Sequence, residues 1–536
     1  MNRTLRFPVL LALIFFGALL FYLWGAGQMP VTDPVESNYA ETAREMALSG
    51  DWLTPRIFGK VWFDKPIFTY WMLAASYLLF GATTLASRFP AAVAGSATIV
   101  LTILYVKRIT GDRSVGVWTG LLLATSLEFW VISHAAVTDS FLLLFTVPTL
   151  FSAYIGITER KWGHMAVAYA AAGVACLVKG PIGLLLPGLI LFLWVLSRKN
   201  FKDFLYLFAP HGILLFALVA LPWYYWMYTT YGDAFVDGFL GLHNVTRALV
   251  SEHPEYNHFY YYLGVLPASI LPWTGLSLYA MWHGRKERTT LYDFLMCWCW
   301  GTVAFYTLVA TKYITYTYIA VVPCIFLAVL AFRQLFDEET KSARIAFVVP
   351  YVLTLAALVV LAYMQPGNYL TFYIICAYTI VILYSQWKKK QYTAMPLLTA
   401  AAMAASYTCL VFGGLTNFME YRSTTDMAQY FHDRPGRHYI YNDYNVSYVF
   451  YMGDYAPRVV EDSGPKGPER DDEWEKKYSY LPTITESDMW KDAAEAGEPV
   501  VLFVPRSAQK YFEEDAISSR FVEDKAFVSG RVYTEK

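Results

Sequence analysis

The feature that most constrains this chain is a succession of apolar runs near the roughly 20 residues that a helix needs to cross a bilayer. They occupy 8–27, 89–106, 114–133, 140–157, 163–178, 183–197, 205–225, 262–282, 291–310, 314–332, 345–364, 369–386 and 394–414. Helices apolar all round are solvated by lipid or by one another, not by water. Composition agrees: 56% of the 536 residues are hydrophobic and 16% charged, against about 25% charged in soluble domains. Mean hydropathy is +0.35. These values exclude a soluble enzyme, a disordered chain and a secreted disulfide scaffold. A net charge of −1 offers no field for nucleic acid, and none is expected as a partner. Cys176, Cys297, Cys299, Cys324, Cys376 and Cys409 all fall inside apolar runs. They read as small core or lipid-facing residues, because no pair has metal or redox spacing.

Charge placement orients the runs. Arg3 and Arg6 precede the first run and no small-residue cleavage site follows it, which predicts a retained span with a cytoplasmic N-terminus. Every second connection is then basic: Lys107-Arg108, Arg160-Lys161, Arg198-Lys199, Arg285-Lys286, Lys341 with Arg344, and Lys388 to Lys390. The alternation holds only if the apolar stretch 66–81 does not cross. That stretch is short for a span and is expected to lie in the outer interface. Thirteen spans leave residues 415–536 outside. The expected organisation is an all-α polytopic membrane domain, 1–414, followed by a soluble extracytoplasmic α/β domain, 415–536. In the latter, strands are expected at 438–441, 458–461, 500–504 and 527–533, helices at 444–451 and 507–514, and a solvated loop at 464–477. Neither an internal repeat nor a Gly-rich nucleotide loop occurs, and no nucleotide is expected.

Polar chemistry gathers in the two long outer segments, 28–88 and 226–261. Residues 32–66 read TDPVESNYAETAREMALSGDWLTPRIFGKVWFDKP. Glu36, Tyr39, Ala43 and Met46 share one face of a short amphipathic helix. Asp33 is placed to cap it, with Pro34 at its first position, and Glu36 would complement its dipole. Asp139 stands at the mouth of a span, where a lone carboxylate calls for a partner or a function; capping the fourth span is the alternative. Arg247 lies four residues beyond His243, on one face if that loop is helical. His134 reads as a packed, satisfied histidine.

The stretch VESNYAETAREMALSGDWLTPRIFGKVWFDKPIFTYW, residues 35–71, resembles the first outer loop of the dolichyl-phosphate-mannose–protein mannosyltransferase family, of GT-C type. It is nearest to the bacterial branch that includes the lipid A aminoarabinose transferases. The similarity continues in order through Arg88-Phe89, Thr138-Asp139, LVKGPIGLLLPG at 177–188, His243 with Arg247, YYYLGVLPASILPW at 260–273 and TKYITYTYIAVVP at 311–323. About thirteen transmembrane helices also suit that family.

The resemblance implies transfer of one sugar from a polyprenyl-phosphate donor to an acceptor on the outer face of a bacterial plasma membrane. The acceptor is a lipid, an envelope polysaccharide or a secreted protein. Lys65 is then the first phosphate-binding cation, against interfacial snorkelling. Lys179, Arg247 and Lys312 are further phosphate or lipid ligands, each with snorkelling or an ordinary surface role as its alternative. Tyr39 and Trp62 flank the donor. Asp64 and His243 occupy positions that can hold a divalent metal, although two ligands alone do not make a site. Glu36 or Asp33, together with Asp139, supplies the catalytic carboxylates; Glu36 is preferred because it needs no gap. Val35 stands where the family has its first Asp, Asn38 replaces an Arg, and Trp62 replaces a Tyr. The sugar is therefore not carried over. A secondary transporter, which would place polar groups at mid-membrane on repeated broken helices, and an inactive scaffold of the same fold are the rival readings.

Overall fold

A computed structural model describes residues 6–286, 288–337, 341–364, 373, 376–381, 384, 388, 394–443, 445–464 and 482–536. The described chain forms two compact units. One comprises residues up to Trp24, Phe63–Thr69 and Arg88–Leu410; the other comprises Gly25–Trp62, Tyr70–Ser87 and Val411–Lys536.

The first unit is helical. Among the described residues, four helices are long and apolar enough to cross a membrane: Thr84–Thr110, Asp139–Thr158, Phe201–Tyr231 and Ile314–Phe332. Two bent pairs raise the number to six, and the chain is a multi-pass membrane protein. Helices coincide with each expected span except 369–386, which lies largely outside the described residues. Several are shorter than a full crossing, among them Phe7–Leu23, Ile182–Ser197 and Met395–Leu410. Thirteen crossings are therefore not established. Phe68–Phe80, in the stretch expected not to cross, is a 13-residue helix, about 20 Å long at 1.5 Å per residue.

Two expected straight spans are broken. The 114–133 run is Arg113–Ala124 followed by Leu127–Ser133 at 69°, and the 262–282 run is Tyr261–Ser269 followed by Thr274–His283 at 112°. At the first break the hydroxyls of Thr125 and Ser126 turn back onto the carbonyls of Leu121 and Leu123, competing with the helical ladder. At the second, Pro272 lacks an N–H and disfavours helical geometry at Leu271. The breaks serve each other, because Leu127 N–H donates to the Leu271 carbonyl over 2.9 Å. Backbone groups freed at membrane depth need such partners.

The Lys-Gly-Pro turn sets a further tight contact. Gly180, at φ +85°, ends the helix Trp162–Lys179. A Cβ at Gly183 would stand 2.4 Å from the Ala175 carbonyl carbon. Only glycine lets the next helix, Ile182–Ser197, fold back this closely, and the turn leaves Lys179 at a helix end.

In the second unit, Val35–Ser49 forms the expected amphipathic helix. It begins one residue later than expected, with Pro34 as its N-cap and no side-chain cap. A two-residue ladder follows, β1 (Arg56–Ile57) against β2 (Lys60–Val61). The C-terminal sheet comprises β3 (Arg437–Tyr441), β4 (Arg458–Val460), β5 (Thr483–Thr485), β6 (Val500–Pro505), β7 (Phe521–Ala526) and β8 (Gly530–Glu535). Its order is β5-β4-β3-β6-β8-β7. The first four strands are parallel and the last two antiparallel. The fully buried β6 sits at the centre, as its unbroken apolar run requires. The expected strand 527–533 is divided between a turn at Phe527–Ser529 and the first part of β8, whose hairpin partner β7 precedes it and was not expected. β5 is an addition to the expected set, too short for its alternation to register. Most of the expected loop 464–477 lies outside the described residues.

Candidate active site: a cation-lined cavity in the membrane unit

A cavity of about 420 Å³ opens in the first unit. Its walls are apolar for most of their extent, from Ile182, Leu185, Leu240, Leu249, Phe305 and Val309, while Asp64, Lys65, Lys179, His243 and Arg247 line its polar part. Five residues that the sequence scatters between 64 and 247 therefore meet in one place.

Asp64 is the hub. Its Oδ1 accepts from Lys65 Nζ at 2.9 Å and lies 2.8 Å from His243 Nδ1 and 3.8 Å from Arg247. Burial alone would raise this carboxyl, but Lys65, His243 and Arg247 hold it well below the usual carboxylate range. Burial lowers Lys65 to about 8, with Asp64 opposing and Arg247 assisting. Burial also lowers His243 to about 4, so its imidazole is neutral near pH 7 and faces the carboxylate through Nδ1. His243 is carried by an 11-residue π-helix, Val236–Thr246. Such helices are rare and concentrate at functional sites. The α-helical face expected for His243 and Arg247 is thus replaced by π-geometry, and both side chains still reach Asp64.

Asp139 has the partner its position called for. Lys179 Nζ donates to its Oδ1 at 2.8 Å, and the same ammonium lies 5.2 Å from the centre of the Tyr316 ring. Tyr316 packs on Tyr306, centroids 4.6 Å apart, and both line the cavity. Arg247 has a second carboxylate, Glu252, at 3.2 Å. Tyr313 donates its hydroxyl to the same oxygen over 2.7 Å. Glu252, Tyr306, Tyr313 and Tyr316 were missed from sequence. Tyr313 and Tyr316 lie within the quoted TKYITYTY motif, but nothing local distinguished Glu252 from other loop acids.

Lys312 is placed differently. It is 1% exposed, and its ammonium donates to the carbonyls of Tyr306, Thr307 and Val309. It satisfies the C-terminal end of the helix Thr290–Leu308 and does not line the cavity. His134 is the packed histidine expected, with Nδ1 2.8 Å from the Trp130 carbonyl.

The remaining candidates lie in the second unit. Asp33 accepts from the Ser37 hydroxyl at 2.7 Å, from the Ser447 N–H at 2.9 Å and from the Ser447 hydroxyl. It does not cap the helix. Glu36 is buried and accepts from Thr32 N–H at 3.1 Å and from its hydroxyl at 2.9 Å. Tyr39 packs against Tyr70 with centroids 6.0 Å apart. Trp62 is fully buried, and its backbone N–H donates to the Pro55 carbonyl.

The metal expectation meets a chemical obstacle. A divalent ion between Asp64 and His243 would enter a pocket whose carboxylate is already taken by an ammonium and approached by a guanidinium. The donor set does not fit an ion unless Lys65 moves off Asp64.

Comparison with known proteins agrees with the resemblance. Residues 7–234 match the family described as dolichyl-phosphate-mannose-protein mannosyltransferase. The undecaprenyl phosphate-alpha-4-amino-4-deoxy-L-arabinose arabinosyl transferase of Yersinia pestis (strain Pestoides F) is 30% identical over 321 residues, covering 59% of this chain and 56% of that protein. An uncharacterized protein of Aquifex aeolicus is 30% identical over 286 residues, covering 53% and 56%. The aligned segment thus spans little more than half of these curated relatives. Among solved structures, ArnT from Cupriavidus metallidurans bound to undecaprenyl phosphate superimposes with a TM-score of 0.79 at 21% identity, covering 99% of this chain and 98% of that one. Its apo form gives 0.77 at 20%, covering 98% of each. The fold is ArnT-like. The sequence resembles the GT-C mannosyltransferases and, within them, the bacterial lipid A aminoarabinose transferases.

Proposed function

We propose that this chain is an integral-membrane glycosyltransferase that moves a single hexosyl or pentosyl unit from a polyprenyl-phosphate donor to an envelope acceptor on the outer face of a bacterial plasma membrane. The observation that carries the reading is the convergence of Lys65, Lys179 and Arg247 on the polar part of an otherwise apolar cavity. This cavity suits a ligand with a phosphate at one end and a hydrocarbon chain at the other. The undecaprenyl phosphate held by the Cupriavidus protein has that form, and the Yersinia relative is named for a donor of the same class.

The reaction breaks the bond between sugar C1 and the phosphate oxygen, and the phosphate keeps the electron pair. Cations placed where that charge develops stabilise the transition state. Lys65, Arg247 and Lys179, all on the cavity wall, are the cations placed to do so. A neutral acceptor hydroxyl gives up its proton as its oxygen bonds to C1, and a carboxylate takes it. Glu36 is assigned that role by resemblance alone. Asp139 orients Lys179. A cytoplasmic N-terminus and an extracytoplasmic C-terminal region, which would help to dock the acceptor, complete the proposal.

The test incubates the purified protein, in native lipid, with radiolabelled polyprenyl-phosphate sugars of varied headgroup and follows loss of label from the carrier. Turnover that Lys65→Ala and Lys179→Ala abolish supports the transferase. No binding or turnover with any headgroup overturns it and leaves the inactive scaffold, which Val35 in place of the family Asp would favour.

A further inference from the structure

Each of the three cations that line the cavity has a carboxylate partner. Lys65 pairs with Asp64 at 2.9 Å, Lys179 with Asp139 at 2.8 Å and Arg247 with Glu252 at 3.2 Å. The wall itself carries three cations against Asp64, and only with Asp139 and Glu252, which stand behind it, are the charges matched three against three, although the proposed ligand is an anion. A pocket built only to hold phosphate tightly would carry surplus positive charge, so the balance calls for a reason.

The chemistry of the proposed reaction supplies one. The donor is a phosphodiester with one negative charge. After transfer the carrier is a monoester, whose second ionisation lies near about pH 6, so it leaves as a dianion. A surplus of positive charge would hold the product more tightly than the donor.

We infer that Glu252 is a specificity-determining residue that keeps the cavity from retaining the dianionic monoester product in preference to the monoanionic donor. The inference rests on the donor reading above. Glu252 suits this role because it stands behind Arg247 and is not part of the cavity wall. It acts through Arg247 and through its charge, without contact with the ligand. Its position is fixed: Tyr313 donates to the same oxygen at 2.7 Å, and Glu252 N–H donates to the Thr311 hydroxyl at 3.0 Å. Two backbone bonds, Ala310 N–H to Ala248 and Thr311 N–H to Arg247, stitch the two segments together. The carboxylate therefore cannot swing away when phosphate arrives, and its repulsion acts on whatever anion is present. Coulomb energy scales with ligand charge, so the effect on a dianion is twice that on a monoanion in the logarithm of affinity.

Two probes isolate the charge without knowledge of the sugar: undecaprenyl phosphate, and the same lipid as its methyl phosphodiester. Their affinities are measured on the full chain in lipid nanodiscs at about pH 7.5, where the monoester is a dianion. Glu252→Gln is expected to tighten the monoester about tenfold and the diester about threefold. Glu252→Asp, which keeps the charge, and Tyr313→Phe, which removes only a positioning bond, leave the ratio of the two affinities within about twofold. Size-exclusion profiles run alongside identify any variant that misfolds, and the Asp variant then carries the comparison against Glu252→Ala. Equal tightening of both probes by Glu252→Gln, or weakening of both, overturns this inference alone. Binding of neither probe by the unaltered protein overturns the donor reading, and this inference with it.

Discussion

Ser447 donates its backbone N–H to Asp33 Oδ1 over 2.9 Å, joining residues 414 positions apart. The Ser447 hydroxyl bonds the other carboxylate oxygen and is itself bonded by Thr424 through N–H and hydroxyl, at 3.0 and 2.8 Å. Asp33, just before the helix Val35–Ser49, is therefore an anchor within its own unit. Glu36, three residues on, accepts locally, from the N–H and hydroxyl of Thr32.

The anchor and the candidate base should fail differently. Asp33→Ala leaves buried donors without partners, each worth about 1–3 kcal/mol, and should lower the thermal midpoint clearly. Glu36→Gln keeps the shape and should melt normally while losing about 100-fold or more in turnover. Thermal melts beside the label-release assay check both; a stable, inactive Asp33→Ala protein would reverse the assignment.

Donor binding should weaken as pH rises through about 8. Burial lowers Lys65 to about 8 from its ordinary 10.5. The charged form that phosphate requires is thus lost above about 8 rather than above 10.5. Loss of one charge-assisted hydrogen bond costs about tenfold or more in affinity. Lys65→Arg, which cannot deprotonate in this range, should remove the alkaline limb. A titration of affinity against pH for both proteins reads the outcome, and identical limbs would place the ionisation elsewhere.

Chelation should leave turnover unchanged within about twofold, because Asp64 is already neutralised by Lys65 and flanked by His243 and Arg247. Metal analysis of the purified protein beside an assay in excess chelator tests this. Activity lost on chelation and restored by one divalent ion would require Lys65 to move off Asp64.

Asp203 should be the most sensitive acid among the basic connections. Its carboxylate is fully buried and accepts from Arg160 at 2.6 Å and Arg198 at 2.5 Å. Breaking a buried pair costs about 3–5 kcal/mol, but both arginines keep contact with water, so about 2–3 kcal/mol is expected for Asp203→Ala. Denaturation in detergent measures it; a change below about 0.5 kcal/mol would mean that the pairs are ordinary surface contacts.

Periodicity and composition act over neighbouring residues, and what depends on them was legible in the sequence. The apolar runs marked the helical membrane unit, the 35–49 spacing marked an amphipathic helix, and the apolar run at 500–504 marked the central strand β6. The break at Pro272 carried a local signal, whereas the bend at Thr125-Ser126 arises from hydroxyls choosing between neighbouring carbonyls and water. The π-helix at His243 likewise has no spacing rule to announce it. The hairpin of β7 and β8 was missed because the turn at Phe527–Ser529 competes with an apolar alternation that continues past it.

The sequence by itself determined that this is a multi-pass membrane protein with basic and polar residues held in the segments between its spans, because hydrophobic transfer and backbone satisfaction in lipid depend on composition over about 20 residues. The tertiary structure alone decided the pairings: Lys179 with Asp139 across 40 residues, Tyr313 with Glu252 across 61, and Asp33 with Ser447 across 414. Charges and hydrogen-bonding groups removed from water must find partners, and which partner is within reach is set by where bends and turns bring the chain back, which no local pattern records.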